Sequence, residues 1–384
     1  MPGNALPFRI AVPDPTLEDL SARLARARWS LPPVLDGGED AEVARILPQL
    51  VERWRTAYDW RAHERRLNEF PQFRAEIAGI TTHFVHVPGT GPRPLPLLLT
   101  NGWPSSFVEY LDIVGPLTDP ASHGGEAADA FSLVIPALPG YGFADRCLER
   151  PLQRTSIAGM FASLMTDVLG YRRFVVHGDD IGGGVANRLG MLGNDAVLAI
   201  QSANWIDPHV NGDASLTTEE RAYLEGQQLW GEHDGAYSHV QATRPQTLAA
   251  GLNDSPLGLA AWIVEKFLTW SDPATRERLD HDTLITNVMI YWVTETIASS
   301  VRLYALPRGT LGPGDAVRAP AAVIVPNEPR LSRPPDSWLR RGYADLRRVV
   351  RIERGGHFLA LESPARLVDE IRTTFRPFRP GPTP

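Results

Sequence analysis

The chain predicts an α/β fold with a mostly parallel central sheet, a helical N-terminal extension and a helical lid inserted between strands. Three observations carry this. From about Ile80 onward, short runs rich in Val, Ile and Leu recur, each ending in Gly, Pro, Asn or Asp. Segments of helical periodicity alternate with them, the pattern of a parallel sheet with crossover helices. The alternation lapses over residues 207–312, where the sequence is helical and rich in aromatics, and then resumes.

Residues 1–78 read as a helical meander. "TLEDLSARLARARW" opens on Thr16 with Asp19 following, a variant of the capping box, and sets Leu17, Leu20, Leu24 and Ala27 on one face. "ILPQLVERWRTAYDW" repeats the pattern with Leu47, Leu50, Val51 and Trp54, after the loop "LPPVLDGGEDAE". Residues 79–206 and 313–384 read as the sheet-bearing core. "PLPLLLTNG", "FSLVIPALPG", "RRFVVHGDD" and "AAVIVPNE" are nearly continuous apolar runs, as strands buried on both faces would be. "TSIAGMFASLMTDVLG" and "GGGVANRLGMLG" read as helices between strands. Residues 207–312 read as the lid. There "SPLGLAAWIVEKFLTW" places Pro256 at a first helical position with Asp254 or Ser255 as cap.

Composition narrows the function. A chain of 384 residues, 43% hydrophobic, can bury a sizeable core. Its net charge is −7 and it has no Lys/Arg-rich run, which argues against nucleic acid or an anionic membrane as partner. Cys147 is the single cysteine, so no internal disulfide forms, as expected in the cytoplasm. The opening residues lack the features of a signal peptide, and no apolar run reaches the roughly 20 residues of a membrane helix. A small-molecule substrate is expected, with no cofactor and no metal. The oligomeric state is open, a homo-oligomer included.

"FVVHGDDIGGGVANRLG" raises the question of which of two adjacent aspartates does chemistry. A strand, a sharp turn and a helix around Gly-x-nucleophile-x-Gly form the nucleophile elbow of α/β-hydrolases. The residues two before and two after the tip must be small, because strand and helix pack closely there. With Asp179 at the tip those positions hold His177 and Ile181; with Asp180 they hold Gly178 and Gly182. Asp180 is the candidate nucleophile. Gly183 and Gly184 leave room beside whatever the site binds. The competing reading is a glycine-rich turn in which Asp180 merely caps a helix. A dinucleotide fingerprint does not fit, because the order G-x-G-x-x-G is absent.

Other strand ends supply the rest. "NGWPSSFVEY" follows an early strand, where such folds place an oxyanion-hole N–H, and Gly102-Trp103-Pro104 aims the Trp103 amide at the site. The amide of Ile181, after the nucleophile, is the second donor. "RIERGGHFLALESP" puts His357 beyond the last strand-like run, where a general base belongs. Glu328 in "AAVIVPNEPR" is the orienting acid, with Asp336 in reserve.

An aspartate nucleophile changes the reaction class. A carboxylate displaces a leaving group at an sp³ carbon and becomes an alkyl ester, which activated water then hydrolyses. A halide leaves as an anion and wants Trp or Asn donors, often a Trp directly after the nucleophile, where Ile181 stands. An epoxide oxygen stays attached and needs a proton, which calls for tyrosine hydroxyls from the lid; Tyr237 and Tyr304 are the notable ones.

Here a resemblance becomes specific. "NGWPSSFVE", "PALPGYGF", "HGDDIGG", "YSHVQATRPQTLAAGLNDSPLGLAAWIVEKF", "NVMIYWVTETIASSVRLY" and "RGGHFLALESP" resemble the microsomal-type epoxide hydrolases and their soluble bacterial relatives. "PFRIAVPDPTLEDLSARLARARW" resembles that family's N-terminal region. The resemblance covers nearly the whole chain. It implies an epoxide hydrolase with Asp180, Glu328 and His357 as catalytic trio, Tyr237 and Tyr304 as proton donors, and the Trp103 and Ile181 amides as oxyanion hole. The departures are Asn101 for the usual His, Pro104-Ser105-Ser106 for Pro-Gly-Ser, and Asp179 and Ile181 for Gly and Trp around the nucleophile. The rivals are a haloalkane dehalogenase of the same fold, told apart by halide release, and a non-catalytic binding protein, told apart by covalent labelling of Asp180.

Overall fold

The runs that are apolar throughout lie at the centre of one sheet. A computed structural model of the chain describes residues 5–29, 39–147, 152–210, 212–306 and 311–379. Among them the strands are β1 (Leu6–Phe8), β2 (Gln72–Ile77), β3 (Ile80–Val87), β4 (Leu95–Thr100), β5 (Phe131–Pro136), β6 (Phe174–Gly178), β7 (Val197–Ser202), β8 (Ala321–Val325) and β9 (Leu346–Arg351). Every residue of β5, β6 and β8 is buried, as strands covered by helices on both faces must be. The sheet order is β1-β2-β3-β5-β4-β6-β7-β8-β9. Pairings from β5 to β9 are parallel, and those joining β1, β2, β3 and β5 are antiparallel. This is the α/β-hydrolase architecture the sequence predicts.

The reading of residues 1–78 as a helical meander is corrected in part. That region holds the helices Asp14–Ala25, Glu39–Thr56 and Trp60–Leu67, but also the edge strands β1 and β2. β2 reaches β3 through Ala78-Gly79, both at positive φ (53° and 77°), the backbone of a two-residue hairpin turn. The first helix starts at Asp14 behind Pro13, with no side-chain cap, so Thr16 and Asp19 lie inside it rather than at its boundary.

The extension straps the lid. Leu50, Val51 and Trp54 of Glu39–Thr56 are buried, and that helix packs on the lid helices Pro256–Trp270 and His281–Thr294. Arg53 holds Asp282 with two hydrogen bonds, of 2.8 and 2.7 Å. Leu50 has 0% exposure, so truncation to Ala costs about 2–5 kcal/mol. The lid helix Thr218–His233 starts in a full capping box between Thr217 and Glu220. The cap of Pro256–Trp270 is Ser255, whose Oγ accepts from the Gly258 amide at 3.0 Å.

The sheet positions three strand ends side by side. Thr100 pairs with Gly178, and Gly178 with Ser202. The loop after β4 therefore lies against the elbow after β6. The loops after β8 and β9 come together at the Asn327 amide, which donates to the Gly355 carbonyl at 2.8 Å.

Candidate active site

The elbow depends on missing side chains. Asp180 has φ 47°, a conformation that costs a non-glycine residue about 1–3 kcal/mol. A Cβ on Gly178 would strike the Gly182 carbonyl, and one on Gly182 would strike the Thr100 carbonyl. Both neighbours are backbone and cannot yield. The Asp179 amide donates to the Thr100 carbonyl at 3.0 Å, and Asn204 Nδ2 donates to the Asp180 carbonyl at 2.7 Å. Gly183 does not open ligand space as expected. Its side is filled by Asn204 and Ser202, while Gly184 lines the cavity with Arg154 packed against it.

The two aspartates point to different worlds. Asp179 is 2% exposed and faces the core. Its Oδ2 accepts from the Tyr110 hydroxyl at 2.7 Å, and its carboxylate lies 3.2 Å from His177 Nε2. His177 Nδ1 meets Gln201 Oε1 at 2.9 Å. Gln201 is fixed the other way round by Nε2, which donates to the Glu370 carbonyl and Thr374 Oγ1. Nδ1 therefore donates to Gln201, and Nε2 faces the Asp179 carboxylate. Burial pushes the Asp179 pKa up, but His177 and Tyr110 outweigh it and hold it below the usual value. Beside it Glu109, buried and receiving the Ser105 hydroxyl, is pushed up to about 8 by burial and by the Asp179 charge.

Asp180 instead faces a cavity of ≈ 220 Å³. The Trp103 amide donates to its Oδ1 at 3.0 Å. A Cβ on Gly102 would collide with that carboxylate. The Trp103 loop is held by the lid helix His281–Thr294: Asn287 Nδ2 donates to the Pro104 carbonyl at 2.7 Å and the Tyr291 hydroxyl to that of Ser105 at 2.7 Å. Ile181 also lines the cavity. It stands in the first turn of the helix Asp180–Met191, where N–H groups lack intrahelical acceptors.

His357 stands across from the nucleophile candidate. Its Nε2 is 3.7 Å from Asp180 Oδ2, and its Nδ1 is 2.7 Å from Glu328 Oε2. Burial lowers the His357 pKa, but the charge and hydrogen bond of Glu328, with smaller help from Asp180 and Glu109, lift it to about 10. The reserve acid Asp336 lies elsewhere, with Arg351 at 2.6 Å. Tyr237 and Tyr304 both line the cavity, their rings 5.9 Å apart at 72°. Trp103 stacks on Tyr237 at 5.5 Å and meets Tyr304 edge-on at 5.9 Å.

Sequence reasoning missed a buried carboxylate behind the histidine. Glu362, 1% exposed, accepts from the amides of Gly356 (2.8 Å), Phe358 (3.0 Å) and Asp272 (2.8 Å) and from Thr275 Oγ1 (2.8 Å). It grips the backbone on both sides of His357 and ties it to the end of the lid helix Pro256–Trp270. Its only sequence signal was a glutamate five residues after the histidine in "GGHFLALESP". Among the described residues no group of three or more His, Cys, Asp or Glu is placed to hold a metal ion. No described helix is long and apolar enough to cross a membrane.

Residues 5–110 match the family profile described as "Epoxide hydrolase N terminus". Epoxide hydrolase 1 of Oryctolagus cuniculus is 32% identical over 404 residues, covering 95% of this chain and 87% of that protein. The chain belongs to the epoxide hydrolase family. A Stigmatella aurantiaca protein assigned to the epoxide hydrolases is 40% identical over 378 residues, 97% of this chain and 85% of that one. Among solved epoxide hydrolases, the juvenile hormone epoxide hydrolase of Bombyx mori superposes with TM-score 0.84 at 28% identity, covering 98% and 95% of the two chains. The Aspergillus niger epoxide hydrolase gives 0.81 at 29%, covering 98% and 96%.

Proposed function

We propose that this chain opens an epoxide to a vicinal diol through a covalent ester on Asp180. The observation that carries the reading is the single cavity shared by a carboxylate, its His–Glu partner and two lid tyrosines. Asp180 Oδ1 is engaged by the Trp103 amide, which leaves Oδ2 to attack an epoxide carbon. As that C–O bond forms, the ring C–O bond breaks, and the departing oxygen takes a proton from Tyr237 or Tyr304. Alkylation removes the Asp180 charge, one of the causes that lift the His357 pKa. His357 is thereby released toward its basic form when it is needed. It takes a proton from water, which attacks the ester carbonyl carbon. The oxyanion at Oδ1 is held by the Trp103 and Ile181 amides, and collapse breaks the ester bond to Oδ2. The leaving oxygen takes the proton from the His357 imidazolium to give the diol, and the proton of the regenerated Asp180 carboxyl returns the tyrosinate to tyrosine through solvent. Glu328 orients the ring and stabilises the imidazolium. The substrate is a small-molecule epoxide and the site of action the cytoplasm, a reading supported by the single cysteine and by a net charge of −7 without a basic run.

The test is one turnover in H₂¹⁸O with a panel running from styrene oxide to larger epoxides, with chiral analysis of the diols. The expected first-turnover diol carries no ¹⁸O, because its new oxygen comes from Asp180, and the label is found on the Asp180 peptide. Label in the first-turnover diol would overturn the covalent route. Inertness toward every epoxide, with halide released from haloalkanes, would favour dehalogenation.

A further inference from the structure

Lys266 is the only lysine of the chain; every other one of its 38 basic residues is arginine. A lone lysine on the surface would mean little. This one is 7% exposed, within the lid helix Pro256–Trp270. Its Nζ lies 4.5 Å from the centroid of the Tyr237 ring and 5.5 Å from that of Trp270. Glu265 stands 2.5 Å from Nζ and is the more exposed partner, at 27% against 8%. Solvent screens the glutamate more than the ammonium. The other titratable groups around the Tyr237 ring are Tyr304, which meets it at 5.9 Å, Tyr141, which it influences electrostatically, and Asp180 and His357 across the cavity.

A buried ammonium on a ring face is a poor use of charge if it only fills space, because an apolar side chain would fill that space without the desolvation cost. It has a use if the ring becomes an anion. The attraction between a cation and a neutral phenol face is modest. It becomes a full charge–charge attraction when the phenol loses its proton. The ammonium is a compact point charge, whereas guanidinium is a broad plane with dispersed charge. In a chain that otherwise uses arginine throughout, lysine stands where a concentrated charge beside one ring is required.

We propose that Lys266 strengthens Tyr237 as the acid of the ring-opening step, by stabilising the phenolate left when Tyr237 gives its proton to the epoxide oxygen. The step balances as before: the ring C–O bond breaks, its electron pair takes the Tyr237 proton, and the negative charge moves to the phenolate beside Nζ. Lys266 touches no reacting atom and acts through Tyr237. The inference rests on the tyrosine-acid reading above, so its test separates the two.

The test measures alkylation and ester hydrolysis separately by rapid quench, using the panel epoxide turned over fastest. The variants are Lys266→Met and Lys266→Arg, each made alone and in a Tyr237→Phe background. Lys266→Met slows alkylation about thirtyfold, roughly 2 kcal/mol of transition-state stabilisation, and changes ester hydrolysis by less than about threefold. Lys266→Arg, which keeps a charge, recovers most of the alkylation rate. In the Tyr237→Phe background Lys266→Met costs less than about twofold, because a ring without a hydroxyl forms no phenolate. An equal cost in both backgrounds, no cost in either, or an equal loss in Lys266→Arg and Lys266→Met would overturn the inference. If Tyr237→Phe alone leaves alkylation at the wild-type rate, the acid role of Tyr237 fails and the inference falls with it.

Discussion

Glu328→Gln isolates the half-reaction assigned to His357 in the proposed mechanism. The substitution keeps an acceptor for Nδ1 and removes the charge now 2.7 Å away. The lift of the His357 pKa from 6.5 to about 10 amounts to about 5 kcal/mol in favour of the imidazolium, at roughly 1.36 kcal/mol per unit. Burial opposes this lift, and Glu328 is its largest source, ahead of Asp180 and Glu109. In the ester intermediate Asp180 is neutral, so Glu328 carries a still larger share. A hydrogen bond to a charged group contributes about 1.5–3 kcal/mol. At the upper end its loss slows ester hydrolysis about a hundredfold. Alkylation needs no imidazolium to form and should change by less than about threefold. Rapid quench with mass spectrometry then shows an adduct on the Asp180 peptide that persists for the lifetime of the slow step. Unchanged hydrolysis, or equal losses in both steps, would refute the assignment. Asp336→Asn is the control: its carboxylate pairs with Arg351 at the surface, and both rates should stay within about twofold.

The same pair sets a pH dependence of stability. A pKa raised on folding stabilises the protein fully below pH 6.5, and that contribution is lost as pH rises through about 10. The deficit of Glu328→Gln in urea unfolding should therefore be largest near pH 6 and fade toward pH 10; a constant deficit would contradict this. Asp180→Asn should abolish turnover, while Asp179→Asn should keep substantial activity and lose about 1–3 kcal/mol of stability as the His177 contact is broken, read as kcat beside a denaturation midpoint. Gly182→Ala should destabilise by more than about 3 kcal/mol or fail to fold, because its methyl meets the Thr100 carbonyl; soluble, fully active protein would count against the elbow packing.

The elbow was legible because its constraint is local. Gly178 and Gly182 exclude all but one register of a strand–turn–helix, and a reader needs only five residues to see it. Glu328 and His357 were legible because parallel sheets collect chemistry at strand ends, and the structure brings the two side chains within 2.7 Å. The edge strands β1 and β2 were not: β1 is only three residues long, and the alternation in β2 leads to β3 through Ala78-Gly79 rather than an Asn-Gly hairpin signal. Asp179 was seen only as a neighbour of Asp180. Its partners come from β6 and from Tyr110 in the loop after β4, a contact across 69 residues. Glu362 and Lys266 carry no local sequence signal of burial, because it comes from tertiary packing.

Trp103 and Trp270 give the site optical probes of its own. The amide of one indole residue holds Asp180 while its ring stacks on Tyr237; the other ring lies 4.8 Å from His357. Each step of the proposed mechanism creates or removes a charge within a few ångströms of an indole, and indole emission shifts with local electric field. Of the ten tryptophans, Trp205 and Trp230 also line the cavity, so their Phe variants serve as controls. Unlabelled enzyme mixed with substrate therefore reports ring opening and ester hydrolysis as two successive changes in its own fluorescence, and Trp103→Phe and Trp270→Phe assign each change to its source.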